Sequence, residues 1–311
     1  MKIKAFLSLL IILAFPITSR AQTFKVLNYN SLVHQGGVLI VKIAKELKNQ
    51  NLQLYVFDEL YSFNENGVAF VGISVDYKPD CYPKPDRCIL YLVETEGQER
   101  VQYDFYYTHV QVLEKDFGTP WYAGPSGRPN KTMRERRQKE ALIKDEAYAL
   151  ADIETDYTSG PFIRPLDTEE TDGFGTLRLY GSRNRKTKKI KIERKVPHGG
   201  VDLRARTPLP VMAINSGKVL LTHNFSLRGT EGNMLIIDHG SGILSLYLHL
   251  SKFKVKVGDT VTKGQIVALT GKTPKGTPPH LHFMVKINGT NVDPLEFIDT
   301  INAELPFGEK P

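Results

Sequence analysis

Five residues suited to metal binding and proton transfer stand at spacings that could assemble one site. His198 and Asp202 bracket His198-Gly199-Gly200-Val201-Asp202, His249 closes Tyr247-Leu248-His249, and His280 and His282 flank Leu281. Two imidazoles and a carboxylate suffice to hold a catalytic zinc ion while its fourth tetrahedral position stays open to water. The remaining histidines are then free to move protons, because an imidazole titrates near neutrality.

The elements around these residues read as strands. In Leu244-Ser245-Leu246-Tyr247-Leu248-His249-Leu250 the leucines alternate with Ser245, Tyr247 and His249, which places His249 on a polar face. His280, His282 and Met284 share a face opposite Leu281, Phe283, Val285 and Ile287, which are expected to enter the core. Along a strand, His280 and His282 stand about 7 Å apart, close enough for one to ligate while the other reaches a bound water. Further β-type runs cover Val211 to Ile214, Gly217 to Thr222, Asn233 to Asp238 and Gln265 to Thr270, and no convincing helical period follows Phe162. An antiparallel sheet is the local expectation.

The chain upstream divides into three parts. Lys2 and Lys4 precede an apolar run from Ala5 to Phe15, and Ser19-Arg20-Ala21 carries small residues at the positions a signal peptidase reads, so residues 1–21 are expected to be a cleaved export signal. The run is roughly a dozen residues, short of the ~20 needed to span a bilayer. Residues 22–118 offer short β-rich runs separated by turn formers such as Asn64-Glu65-Asn66-Gly67, which predicts a small antiparallel, Ig-like sandwich. Residues 119–160 predict a charged linker with a helix over 131–152, its stripe formed by Met133, Leu142, Ala147 and Leu150. The last domain runs over 161–311. The expected fold class is therefore mostly β, with a small sandwich-like domain and a linker helix before an antiparallel-sheet domain.

Composition narrows the partners. Removal of Lys2, Lys4 and Arg20 lowers the formal charge from +7 to +4, and the basic residues are scattered apart from Arg134 to Arg137 and Arg185 to Lys189. That distribution argues against a nucleic-acid protein and leaves those two runs as solvated faces or weak contacts to an anionic cell envelope. Cys81 and Cys88 enclose six residues, and an even count in an exported chain suits a disulfide across that loop. Nothing after the signal is expected to insert stably in a membrane.

The region from about Phe162 to Ile298 resembles the lysostaphin or LytM-type zinc metallopeptidases. The resemblance runs through Phe162-Ile163-Arg164-Pro165, Phe174-Gly175, His198 to Leu203, Gly232 to Gly240, Tyr247 to Leu250, Val257 to Val261 and Pro279-His280-Leu281-His282-Phe283. It implies that His198, Asp202 and His282 bind one zinc ion and that His249 and His280 form the catalytic pair. It also implies a peptidoglycan endopeptidase, acting on stem peptides at a D,D-bond in the periplasm or outside the cell. Pro208, Pro274, Pro278 and Met284 depart from the family pattern, so the loops beside the groove should be stiffer and differently shaped. Tyr180 is a candidate for the tyrosine that some members place near the reacting carbonyl. His34, His109, His223 and His239 receive structural or exposed roles. A non-catalytic relative that activates a cell-wall amidase is the alternative, although such members typically lose the ligands that are intact here. The amino-terminal domain could contact an envelope protein or restrain the catalytic domain.

Overall fold

The structure, a computed structural model, describes residues 24–26, 32–44, 52–77, 89–96, 99–102, 108–124, 130–184, 186–206, 208–225, 231–274 and 278–305. The expected export signal and the Cys81–Cys88 loop lie outside the described residues. Among the described residues no helix is long and apolar enough to cross a membrane.

Most of the described chain is antiparallel β-structure. In the amino-terminal half, Val38–Ile43 lies between Phe24–Val26 and Val68–Gly72. A second sheet places Leu52–Val56 between Glu59–Ser62 and Ile89–Glu96. Leu39, Val41, Ala69 and Val71 of the first sheet meet Leu52, Leu54, Val56, Leu90 and Leu92 of the second, so two sheets enclose one core. One departure from the antiparallel expectation occurs here, because Leu32–His34 and Gln111–Leu113 pair in parallel.

The other face of the first sheet does not meet water. Val38, Ile40, Val68 and Phe70 join the core of the carboxy-terminal half, beside Val201, Leu281, Phe283, Val285 and Ile287. This explains why Val38-Leu39-Ile40-Val41 is a continuous apolar run rather than an alternating one: successive side chains enter different cores. Polar groups cross the same boundary. Asn64 Nδ2 donates to Ser241 Oγ at 2.8 Å, Asn288 Nδ2 donates to the Phe70 carbonyl at 2.8 Å, and Lys115 Nζ pairs with Asp293 and Glu296.

The carboxy-terminal half is built on an eight-stranded sheet whose central strands are Val201–Arg204, His280–Ile287, Ile243–Leu250, Gly232–Asp238 and Gly217–Phe225, in that order. Both faces of this sheet are covered. Tyr247, Phe283 and Val285 enter the main core, while Leu244, Leu246 and Leu248 enter a smaller one closed by Ala147 and Ile143. The alternation read from the sequence holds from Leu244 to Leu248 and breaks at His249, and Ser245 and Tyr247 are fully buried and do not form a polar face. They are tolerated because each is hydrogen-bonded: Ser245 Oγ lies 2.8 Å from His239 Nε2 and 3.0 Å from Tyr247 Oη, and the Ile214 amide donates to that phenol at 3.1 Å. His239 Nδ1 donates to the Ser216 carbonyl at 2.8 Å, so this histidine is a buried structural group.

The helices correct two expectations. Helix α1 spans Lys131–Tyr148 and is capped by Asn130, whose side chain accepts from the Met133 amide. Its packed face is Glu140, Ile143 and Ala147, whereas Met133, Leu142 and Leu150 are exposed. Helix α2, Pro294–Glu304, was not expected at all. Its signals were present: Asp293 caps it, Pro294 fits the first turn, and Leu295, Phe297, Ile298 and Ile301 form an apolar stripe.

Two outcomes check these packings. Phe70→Ala should cost about 3 to 5 kcal/mol and leave a single cooperative urea transition for the two halves; separate transitions would refute the shared core. Burial pushes the His239 imidazole down to about 4. The unfolded chain therefore takes up a proton below about pH 6.5 that the folded chain refuses, and folding weakens as pH falls from 6.5 to 4 by about 3 kcal/mol in total. His239→Gln should remove that part of the acid sensitivity. Identical declines in wild type and variant, measured from urea transitions at pH 7 and 4.5, would contradict it.

Candidate metal centre

The register of two neighbouring strands creates the site. Val201–Arg204 pairs with His280–Ile287 so that Asp202 stands opposite His282 and Arg204 opposite His280. Paired residues share a face, which brings the Asp202 carboxylate onto the imidazole of His282. Gly200 allows the approach that starts this pairing, since a Cβ there would lie 2.2 Å from the Phe283 carbonyl oxygen. His198, at the entrance to the strand, is buried and completes the cluster.

Three atoms converge. His282 Nδ1 lies 2.8 Å from Asp202 Oδ1 and 2.9 Å from His198 Nε2, and His198 Nε2 lies 3.2 Å from Asp202 Oδ1. His198 donates its Nδ1 proton to the Gly173 carbonyl at 2.9 Å, which leaves Nε2 with a lone pair. Three lone-pair atoms therefore meet with at most one proton, on His282 Nδ1, to share between them. A cation resolves that arrangement. Zinc bonds of about 2.0 to 2.1 Å imply tetrahedral edges of about 3.3 Å, so the observed triangle need open by only a few tenths of an ångström. The donor set, two imidazoles and one carboxylate, suits this ion.

Charges around the cluster hold it in the binding form. Burial pushes the Asp202 carboxyl upward, but its contacts with the His198 and His282 imidazoles outweigh it and keep the group well below the usual carboxylate range. Burial lowers His282, favouring the neutral imidazole that a metal requires.

His249 and His280 stand over the same cluster. Their ring centroids are 4.7 Å apart, and that of His249 is 5.9 Å from that of His282. His280 Nε2 approaches Asp202 Oδ1 to 3.5 Å. Each donates Nδ1 to a backbone carbonyl, His249 to Thr273 at 2.7 Å and His280 to Pro278 at 2.8 Å, so each presents Nε2 inward. Two prolines outside the family pattern thus sit where carbonyls orient the histidines. Met284, another departure, packs on the smaller core and fills the space beside Gly199 and Gly200. Burial, aided by the neighbouring His280 and His282, pushes His249 down to about 3, so it stays neutral at ordinary pH.

His249 reaches this position against strand alternation. Leu248 pairs with His282 and shares its face, so a regular strand would turn His249 away. The backbone at His249 adopts φ +62° at a register shift against Asn233 to Leu235, and this bulge re-aims the ring. Thr273 ties the bulge down: its carbonyl takes the His249 ring, its Oγ1 accepts from the Asn233 amide at 2.9 Å and donates to the Leu250 carbonyl at 2.8 Å.

Sequence reasoning missed two residues. Arg178 donates to Asp202 Oδ2 at 2.7 Å and to Asp172 Oδ2 at 2.5 and 2.9 Å, fixing the carboxylate from the side away from the histidines. Neither Arg178 nor Asp172 belongs to a short motif, and only the fold brings them together. Tyr180 lies two residues along the same strand, on the face of Arg178, with the Arg194 guanidinium 4.7 Å from its ring. His223 packs on Phe225, and His34 is exposed.

Residues 196–294 match the family described as Peptidase family M23. The peptidoglycan DD-endopeptidase ShyB of Vibrio cholerae is 37% identical over 126 residues, covering 40% of this chain and 28% of that protein. Lysostaphin of Staphylococcus simulans is 40% identical over 105 residues, covering 32% of this chain and 21% of that protein. The chain thus aligns with about a quarter of the length of these curated relatives. A crystal structure of a Pseudomonas aeruginosa chain assigned to peptidase M23 superimposes with a TM-score of 0.56 at 21% identity, covering 85% of this chain and 93% of that one. The fold is therefore shared beyond the metal-binding region.

Arg178→Ala should weaken zinc binding by about 10- to 100-fold, as loss of groups that orient ligands commonly does, and Arg178→Lys should recover part of it. Competition with a metallochromic chelator reads the affinity directly. Unchanged affinity in the alanine variant would remove Arg178 from the site.

Proposed function

We propose that this chain, whose residues 196–294 form a peptidase M23 domain, is an exported zinc-dependent endopeptidase that hydrolyses peptide cross-links of peptidoglycan at a D,D-bond. The observation that carries the proposal is the convergence of His198 Nε2, Asp202 Oδ1 and His282 Nδ1 beneath the inward-facing His249 and His280. The names of relatives such as ShyB and the Neisseria meningitidis DD-carboxypeptidase/endopeptidase Mpg support the substrate class.

Zinc held by His198, Asp202 and His282 would supply Lewis acidity at the scissile carbonyl and acidify a water molecule. The chain's own residues do the rest. His249, neutral and fixed through Nδ1, offers the Nε2 lone pair to a proton, and His280 offers the same atom from the neighbouring strand. One takes the proton of the attacking water, and the other, when it also carries a proton on Nε2, hydrogen-bonds the developing oxyanion or protonates the leaving amine. Arg178 holds Asp202 in its ligating orientation. The amide carbonyls of Gly173, Thr273 and Pro278 keep three imidazoles in single tautomers.

The division into an amino-terminal β-domain over 22–118, a linker over 119–160 and a catalytic domain over 161–311 belongs to this proposal, as does a periplasmic or extracellular location. The intact set of five residues favours catalysis over the role of a non-catalytic amidase activator. Incubation of the mature protein with purified sacculi should release uncross-linked muropeptides, and chelator should stop it until zinc is restored. His249→Ala and His280→Ala should each lower the rate by about 100-fold or more while still binding zinc. Cross-links that survive zinc-loaded protein would reject the reaction; stimulation of a separate amidase by that same protein would establish the alternative.

A further inference from the structure

The hairpin formed by Leu177–Arg183 and Ile190–Pro197 carries charge that the metal centre does not use. Residues 182–195 hold eight Lys or Arg side chains and one acidic residue, Glu193. Every described residue in that stretch is exposed. Asn184 organises the tip: its side chain accepts from the Lys186 and Thr187 amides at 2.9 Å, and Lys188 takes a left-handed φ of +58°. This turn places Lys186, Lys188 and Lys189 at one exposed tip. Among the described residues none of these three, nor Lys191 or Lys195, forms an ion pair.

Lysine on an outer strand often guards against unwanted strand pairing, and Ile190–Pro197 is one of the two outer strands of its sheet. That accounts for Lys191 and Lys195. It does not account for the lysine-rich tip, nor for Ile190 and Ile192, which are 41% and 37% exposed on the same strand. The register gives these isoleucines a direction. Ile190 pairs with Arg183 and Ile192 with Gly181, so both lie on the face opposite Arg178 and Tyr180.

We propose that this face of the hairpin is a peripheral docking surface for an anionic lipid bilayer. The lysines meet headgroup phosphates, and the two isoleucines enter the boundary between headgroups and acyl chains. Apolar side chains interleaved with lysines fit that boundary, whereas a soluble polyanion gives the isoleucines nothing to bind. Because Arg178 reaches Asp202 from the opposite face, a docked hairpin leaves the metal centre turned away from the lipid.

Sedimentation of the full mature protein with vesicles tests this. Vesicles of phosphatidylcholine containing 30% phosphatidylglycerol, about that fraction, should bind it, and pure phosphatidylcholine should not; raising salt from roughly 0.1 to 0.5 M should release it. Lys188→Ala with Lys189→Ala should weaken binding by about 25-fold, near fivefold per lysine. Ile190→Ser with Ile192→Ser should weaken it by about tenfold or more at unchanged charge. Both double variants should bind zinc and digest detached sacculi as the wild type does, which separates this proposal from the catalytic one. Equal binding to both vesicle types overturns it. So does full binding by the isoleucine variant together with release by soluble polyphosphate, which would mark a site for soluble polyanions only.

Discussion

Asp202 is the point on which the carboxy-terminal half depends. A carboxylate among buried imidazoles is stable only when both of its oxygens are engaged, and here each faces a different part of the chain. Oδ1 meets His198 and His282, while Oδ2 meets Arg178, which also binds Asp172. Three stretches of chain, around Arg178, from His198 to Asp202, and at His282, are therefore fixed relative to one another by a single side chain. The register that sets Asp202 opposite His282 does this without long loops, because these two ligands sit on adjacent strands and His198 lies just before one of them. The same negative charge that a cation needs also anchors the arginine that orients it.

Regular strand geometry made much of this legible. His280 and His282 could be placed on one face from alternation alone, since their strand continues unbroken to Ile287. Ser245 and Tyr247 were misplaced for a related reason: alternation separates two faces but does not say what covers them. The packing of Ile143 and Ala147 against one face, and of the amino-terminal sheet against the main core, involves residues far away in sequence. Arg178 and Asp172 carried no local pattern at all. Helix α2 differs, because its cap and apolar stripe were visible in Asp293 to Ile301 and the surrounding β-pattern obscured them.

The shared core changes how the amino-terminal half can act. Val38, Ile40, Val68 and Phe70 are packed on strands that carry or adjoin the metal-centre residues, so this half is not a tethered module free to swing. Removing it would expose an apolar face of the carboxy-terminal half, and loss of activity in a truncation from Phe162 would then report damaged packing as readily as a lost restraint. Phe117 reinforces the connection. It packs edge-on to Phe174 beside Gly175, whose amide donates to the His198 carbonyl at 2.8 Å.

His249 poses the remaining physical question, how a non-glycine residue keeps a left-handed backbone inside a sheet. Such a conformation costs about 1 to 3 kcal/mol and persists only where its surroundings over-determine it. They do so here at both ends of the residue. The His249 amide donates to the Glu231 carbonyl at 3.0 Å, its ring is held by Thr273, and Asn233 Nδ2 binds the next carbonyl, that of Leu250, at 2.9 Å. Gly232 is required alongside, because a Cβ there would lie 2.3 Å from the Thr273 carbonyl oxygen. The regular sheet can supply three converging metal-binding atoms, but it cannot by itself bring His249 over them. That step needs a local violation of alternation, and the hydrogen bonds around Thr273 offset its cost.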